Sequence, residues 1–246
     1  MDQVCVGTAG WSIHSRHAPQ FPGDGSHLER YAARLKCAEI NSSFYKPHRF
    51  QTYERWAASV PEHFRFSVKL PKLITHEARL IDAEVPLDRF LGEAGGLGDK
   101  LAVLLVQLPP NLAFDRNAAE AFFDLLRTKT AAGIALEPRH VSWFADDAES
   151  VLVEHQISRV AADPPRHDGG DQPGGLPGLR YYRFHGSPKI YYSDYESAKL
   201  REIAARLVET AGAETWCIFD NTAASHALGN AASVADMVSQ ITLSSR

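Results

Sequence analysis

Eight short runs rich in apolar and β-forming residues punctuate the chain, at residues 4–7, 38–41, 64–70, 101–108, 133–137, 159–163, 179–185 and 215–221. Between them, segments 27–35, 52–60, 117–127, 147–155 and 196–209 place apolar residues at the i, i+3, i+4 spacing of a helix packed on one face. The last of these follows Ser193 with Glu196 three residues on, the spacing of a capping box. One strand–helix unit takes roughly 31 residues, the size of a βαβ step. The run LAVLLVQL at 101–108 is apolar on both alternating faces until Gln107, as a parallel strand covered on both sides requires. The pattern predicts an α/β fold, a (β/α)₈ TIM barrel forming a single domain over residues 1–246. Segment 163–180 is so rich in Pro and Gly that it cannot be helical, and it is expected to replace the sixth helix with a loop. A doubly wound sheet is the alternative. The first strand–helix turn, GTAGW, lacks the GxGxxG spacing that a dinucleotide fold needs.

Composition narrows the class without naming a reaction. Apolar residues make up 44% and charged residues 23% of 246, which excludes fibrous and disordered chains. Twenty-six Lys and Arg against 30 Asp and Glu give a formal charge of -4, so no global basic field marks a nucleic-acid binder and any basic patch must be local. No apolar run is long enough to span a bilayer, and the start MDQVCVGTAG has no signal-peptide pattern. Cys5, Cys37 and Cys217 are odd in number, widely spaced and form no CxxC pair. A cytoplasmic location is the expectation.

In such a barrel the site lies at the C-terminal ends of the strands, where side chains two apart share a face. That rule selects Glu39 and Asn41 on the second run, Ser67 and Lys69 on the third, Gln107 on the fourth and Glu137 with Arg139 on the fifth. It adds Asp163 on the sixth, Arg183 with His185 on the seventh, and Asp220 and Asn221 on the eighth. Tyr182 and Phe184 alternate with Arg183 and His185, as an outward face requires. A purely structural interior is built of Val, Ile and Leu, so polar residues at one end of most strands point to a ligand site. The competing explanation is that Lys69 and Arg183 merely neutralise Glu39 and Glu137.

The blocks GTAGW (7–11), EINSSFY (39–45), FRFSVKLPKLITH (64–76), LLVQLPP (104–110), LEPRHVSW (136–143), YRFHG (182–186) and FDNT (219–222) occur in this order over nearly the whole chain. Together they resemble the YecE-like family, a domain of unknown function. The resemblance implies a TIM barrel and supplies no reaction. Members of that family more often carry Asn at the place of Asp220, so the resemblance gives that carboxylate no role.

Three chemistries fit the selected residues. Glu137, Asp163, His185 and Asp220 close four successive strands and are candidate ligands for a divalent metal such as Zn, Mn or Mg, which would support an endonuclease IV-like phosphodiesterase; no HExxH spacing accompanies them. Metal-free acid–base hydrolysis would use Glu39 and Glu137 as base and acid, His185 as proton carrier, and Lys69 and Arg183 as holders of an oxyanion or phosphate. A Schiff base at Lys69 requires a lowered pKa, and neighbouring carboxylates act in the opposite direction. The third chemistry is non-catalytic binding of an anion or nucleic acid by Arg16, Lys46, Arg49, Lys72, Arg79, Arg166 and Lys189 on the mouth loops, with aromatic residues stacking on rings. Trp11, Asn41, Tyr45, His76, Gln107, Arg139, Asp163, Arg183 and Asn221 are the candidate ligand contacts. The expected partner is a small polar or phosphorylated ligand, with nucleic acid as the alternative and no membrane.

Overall fold

The structure, a computed structural model, describes residues 4–209 and 212–244. Nine of its strands pair parallel with one another: β1 (Val4–Thr8), β2 (Cys37–Ile40), β3 (Arg65–Lys69), β4 (Leu101–Gln107), β5 (Gly133–Glu137), β6 (Ser158–Arg159), β7 (Ala161–Asp163), β9 (Leu179–Phe184) and β10 (Glu214–Phe219). The exception is β8 (Gly174–Gly175), which lies antiparallel on β6. Seven α-helices accompany them: α1 (His27–Ala32), α2 (Phe50–Ala58), α3 (Glu84–Ala94), α4 (Arg116–Lys129), α5 (Asp146–Glu154), α6 (Ser197–Val208) and α7 (Ala227–Ser244). None is long and apolar enough to cross a membrane.

The strands form two sheets, ordered β1-β10-β9-β7 and β2-β3-β4-β5-β6-β8. At one junction a single parallel bridge joins Ala9 to Glu39, with the Gly10 N–H donating to the Glu39 carbonyl at 2.8 Å. At the other the chain itself passes from β6 to β7 through Val160, whose N–H donates to Leu136 O at 2.8 Å. The fold is thus mixed α/β with parallel sheets, and among the described residues no closed sheet is found. The sixth predicted strand is two short ones, because Arg159 pairs toward β5 while Ala161 pairs toward β9.

Alternation along the strands sorts side chains into two clusters. Val103, Leu105, Ala135, Tyr181, Trp216 and Ile218 pack together on one face. Leu104, Val106, Leu136, Phe184 and Phe219 pack with helix residues such as Phe122, Phe123 and Leu126 on the other. Helix α4 shows why its segment is helical: Asp115 caps it by accepting from the Ala118 N–H, and Arg127 and Lys129 sit in its last turn, opposite the negative end of the helix dipole. The α1 segment carries a capping box that the sequence reading did not single out, with Ser26 and Glu29 each accepting from the other's backbone N–H. The box expected at Ser193 and Glu196 is absent; Glu196 precedes α6 without a side-chain bond, and the Ser193 hydroxyl instead accepts from the Lys189 N–H. Helices α3 and α7 were not anticipated. Pro86 and Gly92 obscure the first, although a proline in a first turn costs no hydrogen bond.

No helix lies between β7 and β9; the Pro/Gly-rich loop of residues 164–178 stands in its place. Arg159 holds that loop, donating to Gly169 O and Gln172 O at 3.3 and 3.2 Å while paired to Glu149 at 3.0 Å. On the opposite side β1 and β2 come so close that a Cβ at Gly7 would overlap the Cys37 carbonyl oxygen. Gly7→Ala is therefore expected to destabilise the chain by about 1–3 kcal/mol, because two backbones must separate. The urea midpoint measures it, and an unchanged midpoint would mean that this approach is not tight.

Candidate functional site

The C-terminal ends of β2, β3, β4, β5, β9 and β10 bring one polar cluster together. Residues of matching parity face it: Glu39, Ser67 and Lys69, Gln107, Glu137, Tyr181 and Arg183, and then His185 and Asp220 just beyond the last two strands. Arg183 is its centre and is completely buried. The guanidinium donates to Glu39 through Nε (3.0 Å, Oε2) and Nη2 (2.7 Å, Oε1), to Glu137 Oε2 through Nη1 (2.7 Å), and to Asp220 Oδ2 through Nη2 (3.0 Å). A planar fork can serve several carboxylates at fixed angles, which an ammonium cannot. Tyr181 completes the first of them, its hydroxyl lying 2.9 Å from Glu39 Oε2 and 2.8 Å from Ser67 Oγ.

His185 bridges the other two carboxylates. Its Nδ1 lies 3.1 Å from Asp220 Oδ2 and its Nε2 lies 3.2 Å from Glu137 Oε1. Neutral imidazole has only one N–H to donate, so both contacts are satisfied together only by the imidazolium. Burial opposes that charge, yet the bonds to Asp220 and Glu137 hold the His185 pKa above the ordinary histidine value. Burial likewise works against ionised Glu137, and Arg183, His185 and Arg139 overcome it, keeping the carboxyl well below the usual range. Asp220 is lowered by Arg183 and His185 against the same penalty. Gln107 Nε2 donates to Glu137 at 2.8 Å, and Arg139 Nη2 stands 3.5 Å from its other oxygen.

Lys69 differs from the rest. Its Nζ lies 4.0 Å from the centre of the Phe44 ring, and among the described residues no carboxylate pairs with it. Burial, then Arg183, pull its pKa down to about 8 against the opposing pull of Glu137, Glu39 and Asp220. The neighbouring carboxylates do push this lysine upward, as expected, but burial and then the charge of Arg183 outweigh them. His76 joins the same rim, its Nδ1 2.8 Å from Thr75 Oγ1 and its ring edge-on to Phe44. Its pKa falls through burial, then Lys69 and Arg139.

A pocket opens beside the cluster, walled by Glu137, Arg139, Phe144, Arg166, His185 and Tyr191. Among the described residues three buried polar atoms near these strand ends have no hydrogen-bond partner, Arg139 Nε, Asn41 Oδ1 and Asn221 Oδ1. Phe144 of this wall was missed by the sequence reading, as was Tyr181 of the cluster. Tyr181 was recoverable, since it stands two residues before Arg183 on one strand; Phe144 enters from a loop and follows no period.

The structure separates the other candidates from this group. Asp163 faces away, accepting from the Tyr195 hydroxyl at 2.8 Å and lying 3.9 Å from Lys199, because it shares the outward parity of Ala161. Asn221 donates to Ser193 O and Asn230 Oδ1 at 2.9 and 2.8 Å, which ties a loop to α7. Trp11 packs edge-on against Trp56 and Phe66. Tyr45 is exposed and meets Phe44 edge-on. Among the mouth cations, Lys72 pairs with Glu77 at 3.0 Å and Arg79 donates to Asn111.

The residues do not fit the divalent metal considered above. Asp163 does not converge with Glu137, His185 and Asp220, and those three spend oxygens and ring nitrogens on one another and on Arg183. Among the described residues no group of three or more His, Cys, Asp or Glu is arranged to hold a metal ion.

The chain is similar in sequence and fold to known proteins. The profile of the family described as "Protein of unknown function DUF72" matches residues 5–245. The UPF0759 protein YunF of Bacillus subtilis is 26% identical over 186 residues, 69% of this chain and 61% of YunF. The UPF0759 protein YecE of Escherichia coli K12 is 29% identical over 142 residues, covering 55% of this chain and 52% of YecE. The matches thus span about three fifths and one half of these relatives. Crystal structures of DUF72 family proteins from Enterococcus faecalis and Thermotoga maritima superpose with TM-scores of 0.79 and 0.78. They cover 96% of this chain, and 95% and 99% of their own, at 22% and 24% identity.

Proposed function

The chain belongs to the DUF72 family of proteins of unknown function, and from that premise we propose that it is an enzyme binding a phosphate- or sugar-containing anion, with metal-free acid–base hydrolysis as its reaction. In this reading it is one domain, its two sheets and their two junctions making a single (β/α)₈ barrel whose mouth is the ligand site. The observation that carries the proposal is His185, held as an imidazolium between Glu137 and Asp220 at the wall of a pocket that also presents Arg139 and Arg166.

The roles follow from the protonation states. Glu137 is kept ionised, so it accepts and does not donate; His185 is the acid that protonates a leaving group, and Glu137 and Asp220 hold its ring in place. Arg139, with a free Nε, and Arg166 are the anion holders. Glu39 is the charge partner of Arg183, both its oxygens being committed. A glycosidase pair of Glu39 and Glu137 is disfavoured, because the guanidinium fills the place between them where a sugar would lie.

Calorimetric titration with inorganic phosphate, pyrophosphate and adenosine monophosphate tests the reading. Arg139→Gln is expected to weaken binding roughly tenfold or more, the value of a charged hydrogen bond in a partly desolvated site. Failure of all three probes to bind the parent chain removes the anion reading. A steep fall of oligonucleotide binding with salt, without competition from the small anions, would favour the nucleic-acid alternative instead.

A further inference from the structure

We propose that Lys69 is a nucleophile whose amine condenses with the carbonyl carbon of an anionic aldehyde or ketone, forming an imine within the mouth. The inference rests on the reading of the mouth as an anion site and adds a substrate class to it. Its ground is the distribution of partners inside the cluster. Glu39, Glu137 and Asp220 are all engaged by Arg183, and further by Tyr181, Gln107 and His185. Lys69, on the same inward parity at the end of β3, is left with the face of Phe44 alone.

The Phe44 face favours the protonated amine but accepts no hydrogen bond from it in the way a carboxylate would, and a second cation, Arg183, lies in the same group. The groups that face it are Arg183, Glu137, Glu39 and Asp220, with His76 close enough to feel its charge; burial first and then Arg183 outweigh the three carboxylates and put the amine near pKa 8. Lys100, the other lysine pulled down by burial, spends its ammonium hydrogens on Ala57 O and Val60 O beside the start of β4, far from the mouth. Lys69 makes no such bond, so its lone pair is available whenever the proton leaves. It keeps 6% of its surface, close to the 5% of Gln107 and of His185, whereas Glu39 and Arg183 keep none.

The step balances without an oxidant or reductant. The Nζ lone pair forms the C–N bond while the carbonyl π pair moves to oxygen, which takes a proton to give a carbinolamine. Nζ loses one proton at the carbinolamine stage, the hydroxyl is protonated and departs as water to leave a protonated C=N bond, and loss of the second Nζ proton gives the neutral imine. Attack of water reverses the sequence and releases the carbonyl compound.

Pyridoxal 5′-phosphate serves as an anionic aldehyde probe and pyridoxal as its phosphate-free control, each trapped on the full chain with borohydride and mapped by peptide mass spectrometry. A pKa near 8 raises the neutral fraction at neutral pH by about two orders of magnitude over an ordinary lysine, offset in part by lower basicity, so Lys69 is expected to react about tenfold faster than surface lysines. The fast adduct should vanish in Lys69→Met and should form half-maximally near pH 8. Fast trapping absent from the Lys69 peptide, or a fast phase that persists in Lys69→Met, overturns the proposal. Mapping on the parent chain decides this even where the variant is unstable. If pyridoxal labels Lys69 as fast as its phosphate ester and inorganic phosphate does not protect, the imine chemistry stands and the anion reading falls. If phosphate binds but no Lys69 adduct is trapped, the anion reading stands and the imine chemistry falls.

Discussion

Arg183→Met is expected to cost about 3–5 kcal/mol, enough to bring a domain of ordinary stability close to unfolding at neutral pH. The residue is completely buried and supplies donors to three carboxylates, so its removal leaves Glu39, Glu137 and Asp220 buried together without the guanidinium that balances their charge, although Tyr181, Gln107 and His185 still bond them. Burying an unpaired carboxylate is the expensive half of a buried ion pair; the pair itself is close to neutral against a hydrophobic replacement. The combined variant Arg183→Met with Glu39→Gln, Glu137→Gln and Asp220→Asn should therefore recover part of the loss. Urea unfolding of the single and combined variants measures both effects. A single variant as stable as the parent would mean that water reaches the cluster and that the pairing is not a structural necessity.

Stability should depend on pH with opposite signs on the two sides of a maximum. Glu137 and Asp220 ionise in the fold below their ordinary values of 4.5 and 3.8, so their contribution is complete above those values and is lost as pH falls through the folded ones. His185 titrates in the fold above 6.5, so its contribution is complete below 6.5 and is lost as pH rises through the folded value. Lys69 acts in the other direction on the alkaline side. Its proton is held less tightly in the fold, near 8, than the ordinary 10.5, so stability recovers between those two values. The maximum is thus expected between about pH 4.5 and 6.5, with a steep acid limb and a shallow alkaline one. Urea midpoints across this range provide the measurement. Glu137→Gln should flatten the acid limb, and Lys69→Met should remove the recovery above pH 8. The acid effect should exceed that of any exposed pair, such as Arg89 with Glu93, worth about 0–1 kcal/mol. An acid limb unchanged in Glu137→Gln would place that carboxyl outside the network.

Strand parity was legible in the residues alone because a strand repeats every two residues regardless of what surrounds it. It put Arg183 and His185 opposite Tyr182 and Phe184, and Ser67 and Lys69 opposite Phe66 and Val68, as the two packing clusters have them. The same rule, started from Ala161 and Ile218 instead of from strand ends, turns Asp163 outward and separates Asn221 from Asp220. Those two misplacements came from treating every polar strand end as inward. The Pro/Gly loop was likewise local, since Pro164, Pro165 and the glycines that follow cannot continue a helix. Helix α7 was not local in this sense. It is largely small and apolar, and its place is decided by packing on α6, β1 and β10.

What the sequence alone determined is which side chains share a face, because that follows from backbone geometry over a few residues. Only the tertiary structure decided which charges meet. Arg183 reaches Glu39 across 144 positions of chain and Glu137 across 46, and no local spacing encodes either contact. The consequence for Lys69 was decided at the same level: its neighbours' carboxylates are already satisfied by a guanidinium, and an electrostatic balance among five strands, rather than any motif, leaves that amine without a partner.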